Sequence, residues 1–280
     1  MKNNKIKLLF LALTVFVSLA AKQTTVIFDL GKVVLFPDKG KAFDAFALNE
    51  TINYFISYGM PSEKKFFKYL KEFYGSDIGG SSYPACFRPW FTGKITGKEL
   101  YKDICLKADC SNLYDVQKNF VKSCAKNLKP KRMHKVQYAE KKAVRYICEL
   151  LNSVDANNKP IKVMVLSNWD SESFVLLRQK YKKLFDIIGD KNIIISGDIG
   201  MMKPDKNIFE YLLNNYALKA EDCFFIDDDF DNIYSARECG INAVMHKDWA
   251  KTPYRLKKLG LEYKIAETAG FIKSLAENCL

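Results

Sequence analysis

Val26-Ile27-Phe28-Asp29-Leu30-Gly31-Lys32-Val33-Val34 is a short apolar run that is interrupted by an aspartate and a glycine. An apolar run rich in β-branched residues predicts a buried strand. In an open parallel sheet, reactive groups lie just beyond the carboxyl ends of the strands, so Asp29 stands where a nucleophile or a metal ligand would be. On this stretch alone, an aspartate that merely caps the following turn is the simpler interpretation.

Three later segments also place polar side chains at the predicted ends of strands. Val163-Met164-Val165-Leu166-Ser167-Asn168 is an apolar run that ends in a hydroxyl and an amide. Gly200-Met201-Met202-Lys203-Pro204-Asp205 places a lysine just before a helix that begins at a proline. Cys223-Phe224-Phe225-Ile226-Asp227-Asp228-Asp229 ends in an acidic cluster. The strand ends therefore supply, in order, a carboxylate, a small hydroxyl, a lysine and further carboxylates.

With these residues the sequence resembles the haloacid dehalogenase (HAD) superfamily of Asp-nucleophile hydrolases. Within it, the sequence is similar to the branch of small sugar-phosphate phosphatases (α-D-glucose-1-phosphate phosphatase-like) that carry Phe-Asp-Leu-Gly at the first strand. The order and spacing of four motifs together are specific, whereas any one motif alone would be weak. The matching segments are Phe28-Asp29-Leu30-Gly31, Leu166-Ser167-Asn168, Gly200 to Pro204, and Phe225-Ile226-Asp227-Asp228 with Asn232-Ile233.

The alternation of strand-like and helix-like segments predicts an α/β fold with a doubly wound parallel sheet, a Rossmann-like HAD core. Residues 40–129 read as mostly helical, with a capping box at Thr96-Gly97-Lys98-Glu99, and we interpret them as an inserted helical cap domain. Residues 24–39 and 130–280 then form the catalytic core. We expect a turn or flap over Gly31–Lys39 and one long helix over Lys131–Asn152. The expected core strands are Thr24–Asp29, Lys162–Leu166, Ile193–Ser196, Cys223–Ile226 and Ile241–Met245.

Residues 1–20 have the pattern of a secretory signal peptide. Lys2, Lys5 and Lys7 precede an almost wholly apolar run from Leu8 to Leu19, and Ser18-Leu19-Ala20 offers a small-x-small cleavage site. The alternative is an uncleaved membrane anchor, although the run is shorter than the ~20 residues that span a bilayer. We therefore expect an exported protein, periplasmic or secreted, with no stable membrane partner after cleavage.

Charge and cysteine content narrow the class of partner. The formal net charge is +12, and subtracting the three lysines of the signal segment leaves +9. Such a charge fits a lysine-rich surface or a field that attracts anionic substrates. No basic stripe interleaved with aromatics and no zinc-finger spacing occurs, so we expect no nucleic-acid partner. Export would permit disulfides among the eight cysteines, but their pairing and the oligomeric state cannot be deduced.

The resemblance implies a role for each motif residue. Asp29 is the nucleophile that forms an aspartyl-phosphate, and Lys203 offsets the charge on nucleophile and phosphate. Ser167 and Asn168, with Lys203, bind the phosphoryl oxygens.

A divalent metal, Mg²⁺, is implied because several carboxylates would otherwise repel one another beside a phosphate. Its expected ligands are the side chains of Asp29 and Asp228 and the backbone carbonyl of Gly31. Asp227 is expected to orient the site or Lys203. Asn232 is expected to support the residues that contact the metal and the substrate.

Gly31 departs from the pattern of many phosphatases in the superfamily, which carry there a second aspartate that protonates the leaving group. General acid catalysis is typically worth ~10²–10⁴-fold. The enzyme would then be slow on alkyl phosphates, or favour good leaving groups such as anomeric sugar or aryl phosphates, or take the proton from a cap residue or Lys32. The similar branch also has glycine at this position.

These features together predict a Mg²⁺-dependent phosphatase of small phosphorylated metabolites, with sugar 1-phosphates as one candidate class. A haloacid dehalogenase is the first alternative, but it needs no metal, and Asp227 and Asp228 would repel a carboxylate substrate. The second alternative is a non-catalytic binding protein on a degenerate HAD scaffold. Cap residues Arg88, Trp90 and Phe91 are candidates to line the pocket, although core packing is the simpler role for the two aromatics.

Overall fold

The computed structural model describes residues 23–38, 41, 54–77 and 79–280, and the statements below refer to these residues. The strands are β1 (Thr25–Phe28), β2 (Leu35–Pro37), β3 (Gln137–Ala139), β4 (Ser153–Asp155), β5 (Lys162–Ser167), β6 (Ile193–Ile195), β7 (Cys223–Asp227), β8 (Asn242–Met245) and β9 (Tyr263–Ile265). The α-helices span Glu63–Tyr74, Phe87–Phe91, Gly97–Asp109, Asp115–Ala125, Pro130–Met133, Lys141–Leu151, Ser171–Lys180, Lys182–Ile188, Ser196–Ile199, Lys206–Asn215, Phe230–Glu238, Thr252–Lys258 and Ala269–Asn278. Short 3-10 turns cover Lys126–Leu128, Asp190–Asn192 and Ala220–Asp222.

Five parallel strands form the central sheet, in the order β6-β5-β1-β7-β8. Side chains alternate across β1, so that Val26 and Phe28 belong to one hydrophobic cluster and Ile27 to another on the opposite face. Helices cover both faces, which confirms the predicted doubly wound α/β fold. Because β1 lies between β5 and β7, the carboxyl ends of these three strands are neighbours.

The residues between β2 and β3 are mostly helical and have a hydrophobic cluster of their own, which includes Tyr54, Trp90 and Phe120. The helix Glu63–Tyr74 buries Phe66 and Leu70 on one face, as its amphipathic pattern predicts. The capping box at Thr96 is present, because Glu99 N donates to Thr96 Oγ1 over 3.1 Å while Thr96 N donates to Glu99 Oε2 over 2.8 Å. The assignment of residues 40–129 as a separate cap domain stays a prediction.

Two expectations for the segments on either side of this insertion are wrong. A short helix, β3 and the helix Lys141–Leu151 replace the single long helix expected over Lys131–Asn152, and β2 lies inside the expected turn Gly31–Lys39. The cause is tertiary: β2 and β3 pair antiparallel with Leu35 opposite Ala139, and Glu140 N donates to Val34 O over 2.9 Å. Strands of three residues carry too little local pattern to reveal a partner about a hundred positions away.

The predicted signal peptide at residues 1–20 lies outside the described residues and stays a prediction, as does export. Within the described ranges, none of the helices combines the length and the apolar character needed to cross a membrane. All eight cysteines are described and all are free thiols, with Cys148 and Cys223 buried in the core as expected of packed thiols.

Candidate active site

The ends of β1, β5 and β7 bring Asp29, Ser167 and Asp227 together. Asp29 N donates to Ile226 O over 2.9 Å, which extends the β1–β7 ladder by one residue. Ser167 Oγ donates to Asp29 Oδ1 over 3.0 Å. Asp29 is only 6% exposed, so its carboxylate depends on these neighbours in place of water.

Lys203 lies between two of the carboxylates. Its Nζ is 2.7 Å from Asp29 Oδ1 and 2.6 Å from Asp227 Oδ2, and the side chain is 1% exposed. Burial by itself would lower the pKa of Lys203, but the charges of Asp227 and Asp29 outweigh burial and raise that pKa. The lysine is therefore a fixed positive charge beside Asp29.

Asn168 holds the Lys203 backbone in place. Asn168 Nδ2 donates to Lys203 O over 2.8 Å, and Lys203 N donates to Asn168 Oδ1 over 2.9 Å. The sequence predicted a phosphate-binding role for Asn168 through its backbone. The structure adds a second task for its side chain, which holds the loop that carries Lys203, between the helices Ser196–Ile199 and Lys206–Asn215.

Asp227 is fully engaged by protein groups. Both of its carboxylate oxygens lie 3.1 Å from Asn232 Nδ2, Oδ1 also accepts from Asp229 N over 2.8 Å, and Oδ2 contacts Lys203. These contacts match the supporting roles predicted for Asp227 and Asn232. Asp229 caps the helix Phe230–Glu238 by accepting from Asp231 N over 2.9 Å.

Asp228 is the carboxylate that lacks a close partner. Among the described residues, none makes a hydrogen bond or an ion pair within 4.0 Å with its side chain. Burial, then the charges of Asp29 and Asp227, raises the pKa of Asp228 to about 7. Burial likewise raises the pKa of Asp227 to about 6, although Lys203 opposes the shift. In the described part of the chain, the buried site therefore holds three carboxylates, those of Asp29, Asp227 and Asp228, against the single buried ammonium group of Lys203.

The donor set fits a divalent cation. Asp29, Asp227 and Asp228 each place a carboxylate oxygen so that all lie within 4.8 Å of one another. Two unit charges 4 Å apart repel by about 4 kcal/mol at an effective dielectric constant of 20. Mg²⁺ prefers carboxylate and carbonyl oxygens together with water. Since Asp227 is already engaged, Asp29, Asp228 and the Gly31 carbonyl would hold the ion.

Asp228→Asn is expected to stabilise the metal-free protein at pH 8. A pKa raised in the folded state means that the folded protein binds the proton more tightly, so the free energy of unfolding falls as pH rises from about 4 to about 7. The difference in the free energy of unfolding between Asp228→Asn and the wild type should grow over that pH range to at most about 4 kcal/mol. Urea unfolding at pH 4 and pH 8 in EDTA measures it.

With Mg²⁺ at pH 8, the wild type should become more stable to urea than Asp228→Asn. The ion should stabilise the wild type much more than the variant, which lacks one of its expected ligands. Asp115→Asn, which changes an exposed carboxylate in the first turn of another helix, is the matched control and should show neither effect. A variant that is less stable than the wild type in EDTA at pH 8 would contradict the electrostatic account of Asp228.

Contacts between the insertion and the sheet surround the site, and the sequence did not reveal them. Lys32 Nζ lies 3.2 Å from Glu63 Oε2 across the mouth of the cavity. Ser82 Oγ donates to Asp229 Oδ2 over 2.9 Å. These partners are separated by 31 and 147 positions, so no local pattern could have found them.

Arg88 does not line the cavity, contrary to its candidate role. Its Nε lies 2.5 Å from Asp77 Oδ1 and its Nη1 2.6 Å from Asp205 Oδ2, so it joins the insertion to the loop that carries Lys203. Trp90 and Phe91 are buried in the cluster of the insertion and also form part of the cavity wall.

A cavity of about 560 Å³ opens above Asp29. One end holds the site residues described above, among them Gly31, Ser167, Asn168, Lys203 and Asp228. The other end extends among the helices of the insertion. Its wall there includes Phe66, Phe67, Phe87, Trp90, Phe91 and Phe120.

Residues 87–246 match the family model described as haloacid dehalogenase-like hydrolase, and the chain belongs to this family. Among curated proteins, it is 38% identical over 93 residues to a drimenol cyclase of Aspergillus calidoustus, a match that covers 32% of this chain and 17% of that protein. It is also 28% identical over 101 residues to a sesquiterpene phosphatase of Aspergillus oryzae, covering 35% of this chain and 49% of the relative. The chain therefore spans less than half of each relative.

A solved structure shares the fold. It is a HAD family enzyme of Bacteroides thetaiotaomicron in complex with magnesium and inorganic phosphate, with 17% identity and a TM-score of 0.51. The match covers 81% of this chain and 98% of that one. These comparisons confirm membership of the HAD family. They leave the sugar-phosphate branch as a prediction.

Proposed function

We propose that this HAD hydrolase is a Mg²⁺-dependent phosphatase that acts on small phosphate monoesters through Asp29. The observation that carries the proposal is the Asp29 carboxylate, which contacts Lys203 and Ser167 at one end of a cavity and lies within 4.8 Å of Asp228, a carboxylate with no close partner among the described residues. Sugar 1-phosphates, as the resemblance suggests, are one class of substrate to be tested. The phosphatase and the magnesium–phosphate complex among the related proteins support the reaction type.

The reaction has two displacements at phosphorus. An Asp29 oxygen attacks, a bond to phosphorus forms, and the bond between phosphorus and the alkoxy oxygen breaks, giving an aspartyl-phosphate and an alcohol. Water then attacks phosphorus, releasing inorganic phosphate and restoring the carboxylate. Lys203 stabilises the negative charge in both steps, and Ser167 is placed to donate to a phosphoryl oxygen. Bound Mg²⁺ would supply further positive charge for the phosphate.

Gly31 leaves the proton for the leaving alcohol without an obvious donor. Burial by itself would lower the pKa of Lys32, but the charges of Glu63 and Asp228 outweigh burial and raise that pKa. The side chain therefore carries a proton at neutral pH. Lys32 also lines the cavity beside Asp228. Among the described residues of this loop, Lys32 best combines position and charge. This supports the alternative in which Lys32 supplies the proton that an aspartate at position 31 would otherwise give.

Hydrolysis of p-nitrophenyl phosphate tests the proposal and its metal requirement. EDTA is expected to lower kcat/KM at least about 100-fold, because the carboxylates then repel the substrate and the transferring phosphoryl group lacks a counter-ion, and excess Mg²⁺ should restore it. Release of chloride from 2-chloropropionate, measured in parallel, tests the dehalogenase alternative. Full turnover in EDTA, or dehalogenation without phosphatase activity, would overturn the proposal.

A further inference from the structure

The cavity has two ends of opposite chemistry. Around Asp29 its wall is charged, with Lys203 and Asp228 among the lining side chains. In the part of the chain from Phe87 to Gln137, by contrast, every described residue that lines the cavity is uncharged. The polar side-chain groups of that part are few, namely the amides of Asn127 and Gln137, the thiol of Cys124 and the indole N–H of Trp90, for which the structure shows no hydrogen-bond partner. A ligand that fills the cavity must therefore be anionic at one end and apolar at the other.

The apolar wall is held firmly in place by ring packing. The ring centroids of Trp90 and Phe91 are 4.9 Å apart and stacked, and Phe87 meets Trp90 edge to face at 5.4 Å. Phe120 stacks on Tyr54 at 4.1 Å behind the wall. Because these rings are buried and fixed by one another, the space between them cannot easily close. An apolar space of this kind favours hydrocarbon over water.

The volume of the cavity leaves room for more than a bound phosphate. Pockets for complete small-molecule ligands span roughly 300–1,000 Å³, and about 560 Å³ lies within that range. A hexose bound beyond the phosphate could meet polar side chains near the site, such as Ser62 and Ser82, but a hydroxyl that reached the insertion would face aromatic rings with few hydrogen-bond partners. Each hydroxyl left without a hydrogen bond weakens binding, whereas each buried methylene strengthens it about fourfold.

We propose that the preferred substrate is the monophosphate ester of an apolar alcohol, a long-chain alkyl phosphate. This inference rests on the proposed phosphatase function. The phosphate lies against Asp29 and Lys203, and the hydrocarbon chain runs between Phe67, Phe87 and Phe120 into the insertion. Hydrolysis releases the free alcohol and inorganic phosphate, so a reaction that makes or transfers alkyl phosphates supplies the substrate.

A homologous series of n-alkyl phosphates tests the inference. KM should fall at least about tenfold from butyl to octyl phosphate while kcat changes little, because the added methylenes are buried equally in the ground and transition states. Octyl phosphate should also exceed glucose 1-phosphate in kcat/KM. A KM that is independent of chain length, or a higher kcat/KM for glucose 1-phosphate, would overturn the inference while the phosphatase function stands.

A matched pair of variants locates the binding of the chain. Phe67 and Phe73 are partly buried on the same helix, and only Phe67 lines the cavity. Phe67→Gln should reduce the butyl-to-octyl gain in KM at least about threefold, whereas Phe73→Gln should retain it. If both variants retain the whole butyl-to-octyl gain in KM, the hydrocarbon chain of the substrate does not bind at this wall and the inference fails.

Binding of uncleavable alkylphosphonates separates the two proposals. If no phosphate monoester is hydrolysed, the proposed function fails, and calorimetry with butyl- and octylphosphonate then decides the chemistry of the cavity. A dissociation constant at least tenfold lower for the octyl compound supports the apolar subsite independently of turnover. Equal binding of both compounds, or none, overturns it.

Discussion

Asp29→Asn is expected to lower kcat for p-nitrophenyl phosphate at least about 10⁴-fold, because an amide oxygen is far too weak a nucleophile to attack phosphorus. The substitution is nearly isosteric and can still accept the hydrogen bond from Ser167 Oγ. It removes a charge that contacts Lys203, so the effect on kcat must be separated from any effect on folding. Steady-state kinetics together with urea unfolding provide both quantities.

Asp231→Asn is the control for this substitution, since Asp231 belongs to the same acidic segment but does not line the cavity. Its activity should stay within about twofold of the wild type. Mass spectrometry of Asp29→Asn excludes deamidation back to aspartate as a source of residual turnover. If more than a tenth of the wild-type kcat persists in intact Asp29→Asn, Asp29 is not the nucleophile.

Lys203→Met is expected to damage stability and catalysis together. The methionine leaves the carboxylates of Asp29 and Asp227 buried without their shared cation, which should lower the free energy of unfolding by about 3–5 kcal/mol in EDTA. Loss of the charge beside the phosphate should lower kcat/KM about 10²–10³-fold. Mg²⁺ should recover part of the stability, because it would neutralise Asp29, one of these two carboxylates.

Two further variants separate the roles of Lys203. Lys206→Met removes an exposed lysine that pairs with Glu238 at 3.1 Å, and it should leave the free energy of unfolding nearly unchanged because water screens this pair. The double variant Lys203→Met with Asp227→Asn removes one of the stranded charges and should regain stability without regaining activity. A double variant that is no more stable than Lys203→Met alone would show that the stranded charges do not cause the loss of stability in Lys203→Met.

The central sheet and the site residues were predictable because their signal is local. β1, β5 and β7 are apolar runs, and each ends in a polar residue that the sheet then places at one edge. That pattern alone is enough to bring Asp29, Ser167 and Asp227 together in an open parallel sheet. Lys203 was recognised from the proline that follows it and from the resemblance.

What the sequence did not reveal depends on distant partners. The β2–β3 pair, the link from Arg88 to Asp205 and the Lys32–Glu63 contact all join segments that carry no mutual pattern. Likewise, the aromatics Trp90 and Phe91 were correctly interpreted as core residues. Only the structure shows that the other side of the same rings forms a cavity wall, because a ring packed on one face can be open on the other.

The spacing of the buried charges along the chain has a consequence for biosynthesis. Asp29 lies 138 positions before Ser167 and 174 positions before Lys203, and Asp227 follows another 24 positions later. Closing loops of this length is entropically costly, so such contacts form after the local helices. During synthesis Asp29 leaves the ribosome first and stays hydrated until the last strand of the candidate site has emerged. A nascent chain that stops before Asp227 therefore carries every helix of the insertion but not the assembled group of Asp29, Ser167, Lys203 and Asp227.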